Sequence, residues 1–239
     1  MKETKVFYGY WVLVASFLFV FISQGCGFFA FSLFVKSLQE ELGWGRGEIM
    51  AAFTMFILAL GVGAPFIGRL VDRYGVKRVI STGAIIAGSG YVLLSQTNAL
   101  WHYYLGYLII GIGIAATGVV PASTAVSNWF KRKRGMAIGI MSSGVGAGGL
   151  VLAPIIGGYL IPNFGWRTSY LILALLIWVV IIPVALLVIK AKPADMGLYP
   201  DGAEAPEMVN VTNSSSSAHD GLTLKMALAT PAFWLIAIG

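Results

Sequence analysis

Six apolar segments, each close to the length of a membrane-spanning helix, recur along this chain of 239 residues. A helix needs about 20 apolar residues to cross the hydrocarbon core of a bilayer. We place the segments at residues 10–35, 49–67, 79–96, 103–126, 136–161 and 168–189. Because backbone groups in lipid must find hydrogen-bond partners within the protein, the pattern predicts an all-α integral membrane protein built on six spans.

Composition agrees with a membrane protein. The chain is 58% hydrophobic and 11% charged, whereas soluble domains are about 25% charged. The net charge of +6 would favour nucleic-acid binding in a soluble chain, but here the basic residues cluster between the apolar segments. We therefore expect a lipid bilayer around the chain and no nucleic-acid partner.

Residues 1–190 form the predicted six-helix domain, and the stretch that follows differs in character. Residues 191–228 are polar and Ser-rich, with too few large apolar residues to bury a core, and read as a linker. Residues 229–239 place a proline at a helix start before an apolar run too short to cross a bilayer. We predict there the start of a seventh span, in a chain cut within it.

Basic residues give the predicted orientation. If the spans alternate, most Lys and Arg residues fall on one side, and only Lys36, Arg46 and Arg167 fall on the other. Loops rich in Lys and Arg stay in the cytoplasm. The N-terminus and the linker are therefore predicted to be cytoplasmic, in a multi-pass protein of the plasma membrane.

Residues 68–78, Gly-Arg-Leu-Val-Asp-Arg-Tyr-Gly-Val-Lys-Arg, form a charged turn between the second and third segments. The turn resembles the signature that transporters of the major facilitator superfamily carry at this position. The resemblance implies a cytoplasmic gate, in which Gly68 admits another helix and Asp72 faces a helix N-terminus of a second half and pairs with the loop arginines. Gly75 suits a positive φ. The implied gate residues are Gly68, Asp72, Arg73, Gly75, Lys77 and Arg78. A plain basic loop, the alternative, requires neither the glycines nor the aspartate.

Further stretches resemble the monocarboxylate transporter and oxalate/formate antiporter branch of that superfamily. They lie at residues 111–113, 119–121, 128–139, 153–154 and 164–167, and residues 193–200 and 230–234 are similar to its prokaryotic members. The resemblance implies the N-terminal half of a major facilitator fold in a prokaryotic inner membrane. It also implies alternating-access transport of small organic anions such as monocarboxylates, as a proton symporter or an antiporter. The implied partners are the anion, protons and a second six-helix half.

Small residues form a ladder along the fifth segment. Gly135, Gly139 and Ser143 recur at steps of four, and such rows let helices pack closely. The end of the segment is similar to the antiporter motif of the superfamily, with Ala153 at one position where that motif has glycine. The residues that carry this similarity are Gly149, Ala153, Pro154, Gly157 and Gly158. Ordinary helix packing is the alternative interpretation.

No Asp, Glu, Lys, Arg or His lies well inside the predicted segments, so we expect the coupling charge outside this half. In the superfamily the first and fourth helices line the central cavity, and Thr117, Pro121 and Thr124 would share one helical face. The cavity candidates are Gln24, Phe28, Thr117, Pro121, Thr124, Ser142 and Ser143. Gln24 is the strongest, because an amide facing lipid is costly, whereas Ser and Thr can bond to their own helix.

Two other functions stay open. One is a multidrug or sugar porter, although Tyr107 stands where many of those carriers have an arginine. The other is a truncated or split half that acts as a non-transporting membrane partner. The sequence contains no zinc-ligand spacing, phosphate-binding loop or nucleophile with His and acid. We therefore predict no enzyme activity, no cofactor and no metal site.

Overall fold

The computed structural model describes residues 7–190 and residue 201. This part of the chain is helical and contains no β-strand. The predicted linker at residues 191–228, apart from Asp201, and the predicted helix start at residues 229–239 lie outside the described residues. The stretches at residues 193–200 and 230–234 that resemble prokaryotic relatives lie outside them as well.

Nine α-helices and three π-helical turns follow one another along the described residues. In a π-turn the backbone N–H bonds to the carbonyl five residues back instead of four. The α-helices are α1 (Gly9–Gln24), α2 (Phe31–Leu42), α3 (Arg46–Tyr74), α4 (Val76–Ser95), α5 (Leu100–Thr117), α6 (Val119–Trp129), α7 (Arg134–Ile155), α8 (Ile161–Leu176) and α9 (Ile182–Leu187). The π-turns are Gly25–Phe29, Ile156–Leu160 and Ile177–Ile181.

Among the described residues, five helical stretches are long and apolar enough to cross a membrane. The first, Gly9–Leu42, joins α1 to α2, and the fourth, Leu100–Trp129, joins α5 to α6. The stretches run past the predicted apolar segments, because a helix does not have to end where its apolar residues end. The turn predicted at residues 68–78 is therefore shorter than expected, because α3 and α4 extend into it and leave only Gly75 between them.

The fifth stretch, Arg134–Leu187, has 54 residues and would be about 80 Å long if it were straight. It is interrupted at Gly165, whose φ of 74° and ψ of 165° lie outside the helical region. A residue with a side chain adopts this conformation only under strain. Gly165 therefore divides the stretch between the predicted fifth and sixth segments.

Hydrogen bonds show that the chain reverses direction at this break. Trp129 Nε1 donates to the carbonyl of Lys190 at 3.1 Å, so the chain after α9 returns to the end of α6, near which α7 begins. Arg167, just after the break, contacts the carbonyl of Ser95 at the far end of α4. The described residues thus form six spans, and the predicted fold class, an all-α membrane bundle, is confirmed. We call the end that contains Gly75 and Trp129 the basic end, and the end that contains Gly165 the opposite end.

Glycines bring neighbouring spans into backbone contact. A Cβ on Gly83 of α4 would lie 3.0 Å from the carbonyl oxygen of Gly113 in α5, and one on Gly90 would lie 3.1 Å from that of Gly106. Aromatic rings pack between α2 and its neighbours, where Phe34 stacks on Tyr170 of α8 with ring centroids 4.0 Å apart and the ring of Phe31 contacts that of Tyr107 in α5. These contacts attach α2 to α5 and α8.

Two helices are covered far less than the others. Only 17% of the most apolar window of α3 is buried, against 61% for that of α4. α3 exposes large side chains such as Val62 and Phe66, and α7 exposes Met136 and Leu150. Each of these helices therefore presents a long apolar face that no described residue covers.

Candidate functional site

The first span is interrupted near its middle by the π-turn Gly25–Phe29. Ala30 donates its N–H to the carbonyl of Gly25 at 3.1 Å, whereas in a regular α-helix it would donate to Cys26. The hydroxyl of Tyr91 in α4 donates instead to the carbonyl of Cys26 at 2.7 Å, and the pair is buried. A side chain from a neighbouring span thus satisfies the carbonyl that the π-turn leaves free. Single π-turns inside helices occur frequently at functional sites.

The fourth span is interrupted at Gly118, whose φ of −86° and ψ of −146° separate α5 from α6. Pro121 follows in the first turn of α6, and its missing N–H cannot donate to Thr117. The expected single face of Thr117, Pro121 and Thr124 is therefore wrong, because the helix on which it was drawn ends at Thr117.

The two interruptions meet. Gln24 is the last residue of α1, which supplies 16 of the 34 residues of the first span. Its Nε2 lies 3.8 Å from the position that a Cβ on Gly118 would occupy. The hydroxyls of Ser23 and Thr117 join the two spans beside it, at 2.8 Å and fully buried. Both helices are thus broken near mid-span, next to one amide side chain.

Gln24 is half-buried, and its side-chain amide forms no hydrogen bond with any described residue. A carboxamide has two N–H donors and a carbonyl acceptor, and leaving these unpaired away from water is costly. Phe28, one turn further along, is 42% exposed and packs edge-on against Phe53 of α3 at 5.4 Å between centroids. The site therefore offers one unpaired amide beside an exposed aromatic ring.

The other cavity candidates have less to offer a ligand. Thr117 is buried and its hydroxyl is shared between Ser23 and the carbonyl of Gly113, so it presents no free group. Pro121 is buried as well. Thr124 donates to Val120 and Ser143 to Ile140 in their own helices, as the alternative reading of these hydroxyls expected. Ser142 is half-buried and bonds to none of the described residues. Ser23, which sequence reasoning missed, is the residue that holds Thr117.

The predicted ladder on the fifth span separates into two faces. Gly149 packs on the ring of Phe29 and Gly157 on Leu33, both in the first span. The closest approach to α1, however, is made by Gly144 and Gly148, which the ladder did not include. In the described part of the chain, no neighbouring atom lies within 4 Å of a Cβ added to the remaining ladder glycines, which are Gly135, Gly139 and Gly158. Ala153 is half-buried and Pro154 is exposed.

At the basic end, the predicted gate residues lie on the surface of the described chain. Gly75 has φ 84°, as its sequence position suggested, and an added Cβ on Gly68 would meet nothing within 4 Å. Asp72 and Arg73 are exposed, as is Arg78, and Lys77 is half-buried. The expected ion pair between Asp72 and the loop arginines is not formed, since no described cation lies within 4.0 Å of this carboxylate.

The opposite end holds a polar cluster that sequence reasoning missed, centred on Arg167. Its Nε bonds to Glu41 at 3.3 Å, and its two Nη atoms bond to the carbonyls of Ser95 and Thr97 and to Asn98. Trp166 Nε1 donates to the same carboxylate at 2.6 Å. Arg167 thus ties together the ends of the first, third and sixth spans, which accounts for a cation on the side that is otherwise poor in them. The sequence could have suggested this ion pair, because Glu41 lies on the same predicted side of the membrane as Arg167.

Comparison with known proteins identifies one family. The model of the Major Facilitator Superfamily matches residues 17–239. Monocarboxylate transporter 2 of Homo sapiens is 32% identical over 171 residues, which is 70% of this chain and 35% of that protein. An MFS-type transporter of Gibberella moniliformis is 31% identical over 166 residues, 66% of this chain and 39% of the relative. An uncharacterized MFS-type transporter of Bacillus subtilis is 25% identical over 186 residues, 77% and 45% respectively. The chain thus matches less than half the length of each of these relatives.

Proposed function

The chain belongs to the major facilitator superfamily, and we propose that it forms the N-terminal half of a secondary transporter for small organic anions such as monocarboxylates. The family expected from the charged turn is thereby confirmed, and a multi-pass membrane protein follows from the family and the apolar helices. The substrate class rests on the monocarboxylate transporters among the relatives. The structural observation that carries the proposal is the unpaired amide of Gln24 where two broken spans meet.

Broken helices near the middle of a membrane place polar backbone ends where a substrate can reach them. Here α6 begins at Val119, so the positive end of its dipole lies beside Gln24. The amide can donate to one carboxylate oxygen, and the exposed ring of Phe28 suits the short apolar part of a monocarboxylate. A full counter-charge would come from a second half, because the described mid-span residues next to Gln24 are uncharged.

The second half would also cover the bare faces of α3 and α7. Gly61 and Gly68 on α3, and Gly139 and Gly146 on α7, have no other described residue within 4 Å of an added Cβ. Small residues allow another helix to approach closely. We propose that Asp72, unpaired among the described residues, receives its partner from that half and that the basic end is the cytoplasmic side of a prokaryotic inner membrane.

Transport would proceed by alternating access of one site to the two sides, as a proton symport or as anion exchange. The test is uptake by proteoliposomes that contain the protein as its gene encodes it, including any sequence after residue 239. We expect labelled lactate, pyruvate, formate or oxalate to accumulate under an imposed proton gradient or in exchange for an internal carboxylate. Uptake of a sugar or export of a drug, without carboxylate transport, would favour the other branches. Absence of all transport would favour a non-transporting partner.

Gln24→Leu tests the site itself. The substitution keeps the size of the side chain and removes its donors, so we expect at least a tenfold fall in carboxylate uptake, since one lost hydrogen bond to a charged group corresponds to about 1.5–3 kcal/mol. Thr54→Val is the matched control, because Thr54 lies exposed on α3 and bonds to no described residue. Equal uptake by the two variants, at equal insertion, would remove Gln24 from the site.

A further inference from the structure

A carboxylate from beyond the last helix closes the turn that leads into α7. Oδ2 of Asp201 accepts hydrogen bonds from the backbone N–H groups of Lys131 at 2.9 Å and Arg132 at 2.7 Å. Oδ1 accepts from the N–H of Lys133 at 3.5 Å. Three consecutive backbone donors therefore converge on one side chain, which is 70 residues from the first of them in sequence.

No side chain of the turn itself can accept hydrogen bonds from these N–H groups. The N–H groups of residues 131–133 lie in the turn between α6 and α7, before the first residue of α7, and no backbone carbonyl among the described residues accepts from them. Residues 131–134 are Lys-Arg-Lys-Arg, all exposed, and Lys133 at the cap position forms no side-chain cap. Lys and Arg side chains are donors only. An acceptor has to come from elsewhere in the chain, and the surrounding positive charges favour an anion.

The backbone conformation and the ionisation of Asp201 are both compatible with this contact. Its φ of 59° lies in the left-handed region, which aspartate adopts more readily than most residues other than glycine. Slight burial raises the pKa of Asp201, but the N–H donors of Arg132, Lys131 and Lys133 and the charge of Lys133 outweigh it and hold the pKa below its ordinary value of 3.8. The carboxylate therefore stays ionised, and able to accept, at every pH near neutrality.

Two more contacts hold the chain at the end of α9. The hydroxyl of Tyr8 donates to the carbonyl of Val188 at 3.0 Å, and Trp129 Nε1 donates to that of Lys190 at 3.1 Å. The chain that leaves α9 is thus attached in turn to the start of the first span, to the end of the fourth, and through Asp201 to the turn before the fifth.

We propose that Asp201 is a latch that fastens the chain after α9 to the turn before α7. Asp201 then belongs to the six-helix body, although it lies well inside the linker predicted from residue 191. The latch attaches this part of the chain to the turn that leads into α7, one of the two helices with a bare face. This inference depends on the observed contacts and not on the transported substrate.

Hydrogen exchange of the amides of residues 131–133 tests the latch in the gene-encoded protein in lipid nanodiscs. We expect at least tenfold faster exchange in Asp201→Ala, because a hydrogen bond to a charged group corresponds to about 1.5–3 kcal/mol. Asp201→Asn, which keeps one acceptor and loses the charge, should fall between Ala and the wild type. Asp195→Asn removes the same charge from the same predicted linker and should leave these amides unchanged.

The amides of α4 provide an internal reference, because a latch at residue 201 has no effect on them. Unchanged exchange at residues 131–133 in Asp201→Ala, with α4 still protected, overturns the proposal. If Asp201→Ala also exposes α4, the pH series of the wild type decides. Since the pKa of Asp201 is lowered on folding, its contribution is complete above the ordinary value of 3.8 and is lost only as the pH falls through the lower, folded value. Loss of protection already near neutrality would equally contradict the latch.

Discussion

Replacing Tyr91 by phenylalanine removes one oxygen atom and tests whether a side chain from the third span maintains the π-turn of the first. Tyr91 is 1% exposed, and its hydroxyl is 2.7 Å from the carbonyl of Cys26, which has lost the N–H of Ala30 to Gly25. Without the hydroxyl this carbonyl is buried and short of a donor. Such a loss costs about 1–3 kcal/mol of the free energy of unfolding.

The first span cannot avoid this cost by returning to a regular α-helix. Removing the π-turn would rotate everything after it by about 100° relative to α1, one residue's share of a turn. Phe34 would then leave its stack on Tyr170, now at 4.0 Å between centroids, and that ring contact with its burial is itself worth more than the hydrogen bond. We therefore expect the π-turn to persist in Tyr91→Phe, at the full cost of the unpaired carbonyl.

Tyr103→Phe is the control, since its ring is equally buried and its hydroxyl, close to those of Tyr107 and Tyr170, forms no hydrogen bond of good geometry with a described residue. Removing that oxygen should be neutral or stabilising. Thermal unfolding of both variants in one detergent should lower the midpoint for Tyr91→Phe by several degrees, at about 2–4 °C per kcal/mol for a chain of this size, and leave it unchanged or higher for Tyr103→Phe. Equal midpoints for the two variants would refute the role of Tyr91.

Two further substitutions test the packing of the spans. Arg167→Gln should lower the free energy of unfolding by about 1–3 kcal/mol, as measured by chemical denaturation, because it removes bonds to Glu41 and to the end of α4. Lys36→Gln should leave the free energy unchanged, because the one ion pair of Lys36 among the described residues is the exposed pair with Glu40. Gly148→Ala should lower the free energy of unfolding by about 1–3 kcal/mol, since its Cβ would overlap the backbone of Phe21. Gly139→Ala, with open space around it, should leave the free energy of unfolding unchanged. A larger loss for Gly139→Ala than for Gly148→Ala would disprove the assigned packing face.

The fold could be predicted from the sequence because hydrophobicity and charge act locally. The length of an apolar segment is enough to predict a span, and a basic turn such as residues 68–78 cannot enter hydrocarbon. Both features can therefore be predicted without knowing which residues pack against them. The positive φ of Gly75 was predictable for the same reason, because only glycine adopts it without strain.

The details of the candidate site depend on neighbours and were not predictable in this way. The π-turn at Gly25–Phe29 contains no proline, and the hydrogen bond that compensates for it comes from Tyr91, 65 residues away. The shared face of Thr117, Pro121 and Thr124 was expected because the sequence shows no break in the fourth span, although Gly118 interrupts it. Gln24 was found because an unpaired amide in the middle of a span is costly wherever it faces, which is a local argument.

The π-turn also has a mechanical consequence for the first span. Before it, α1 packs on α6 and α7, and after it, α2 packs on α3 and α8. A helix bends most easily where its hydrogen-bond ladder is interrupted. Both parts also contact the fifth span, through Gly148 beside α1 and Gly157 beside α2, so they differ in having α6 on one side and α3 and α8 on the other. We therefore expect any bending of the first span to occur at Gly25–Phe29, between the part attached to α6 and the part attached to α8.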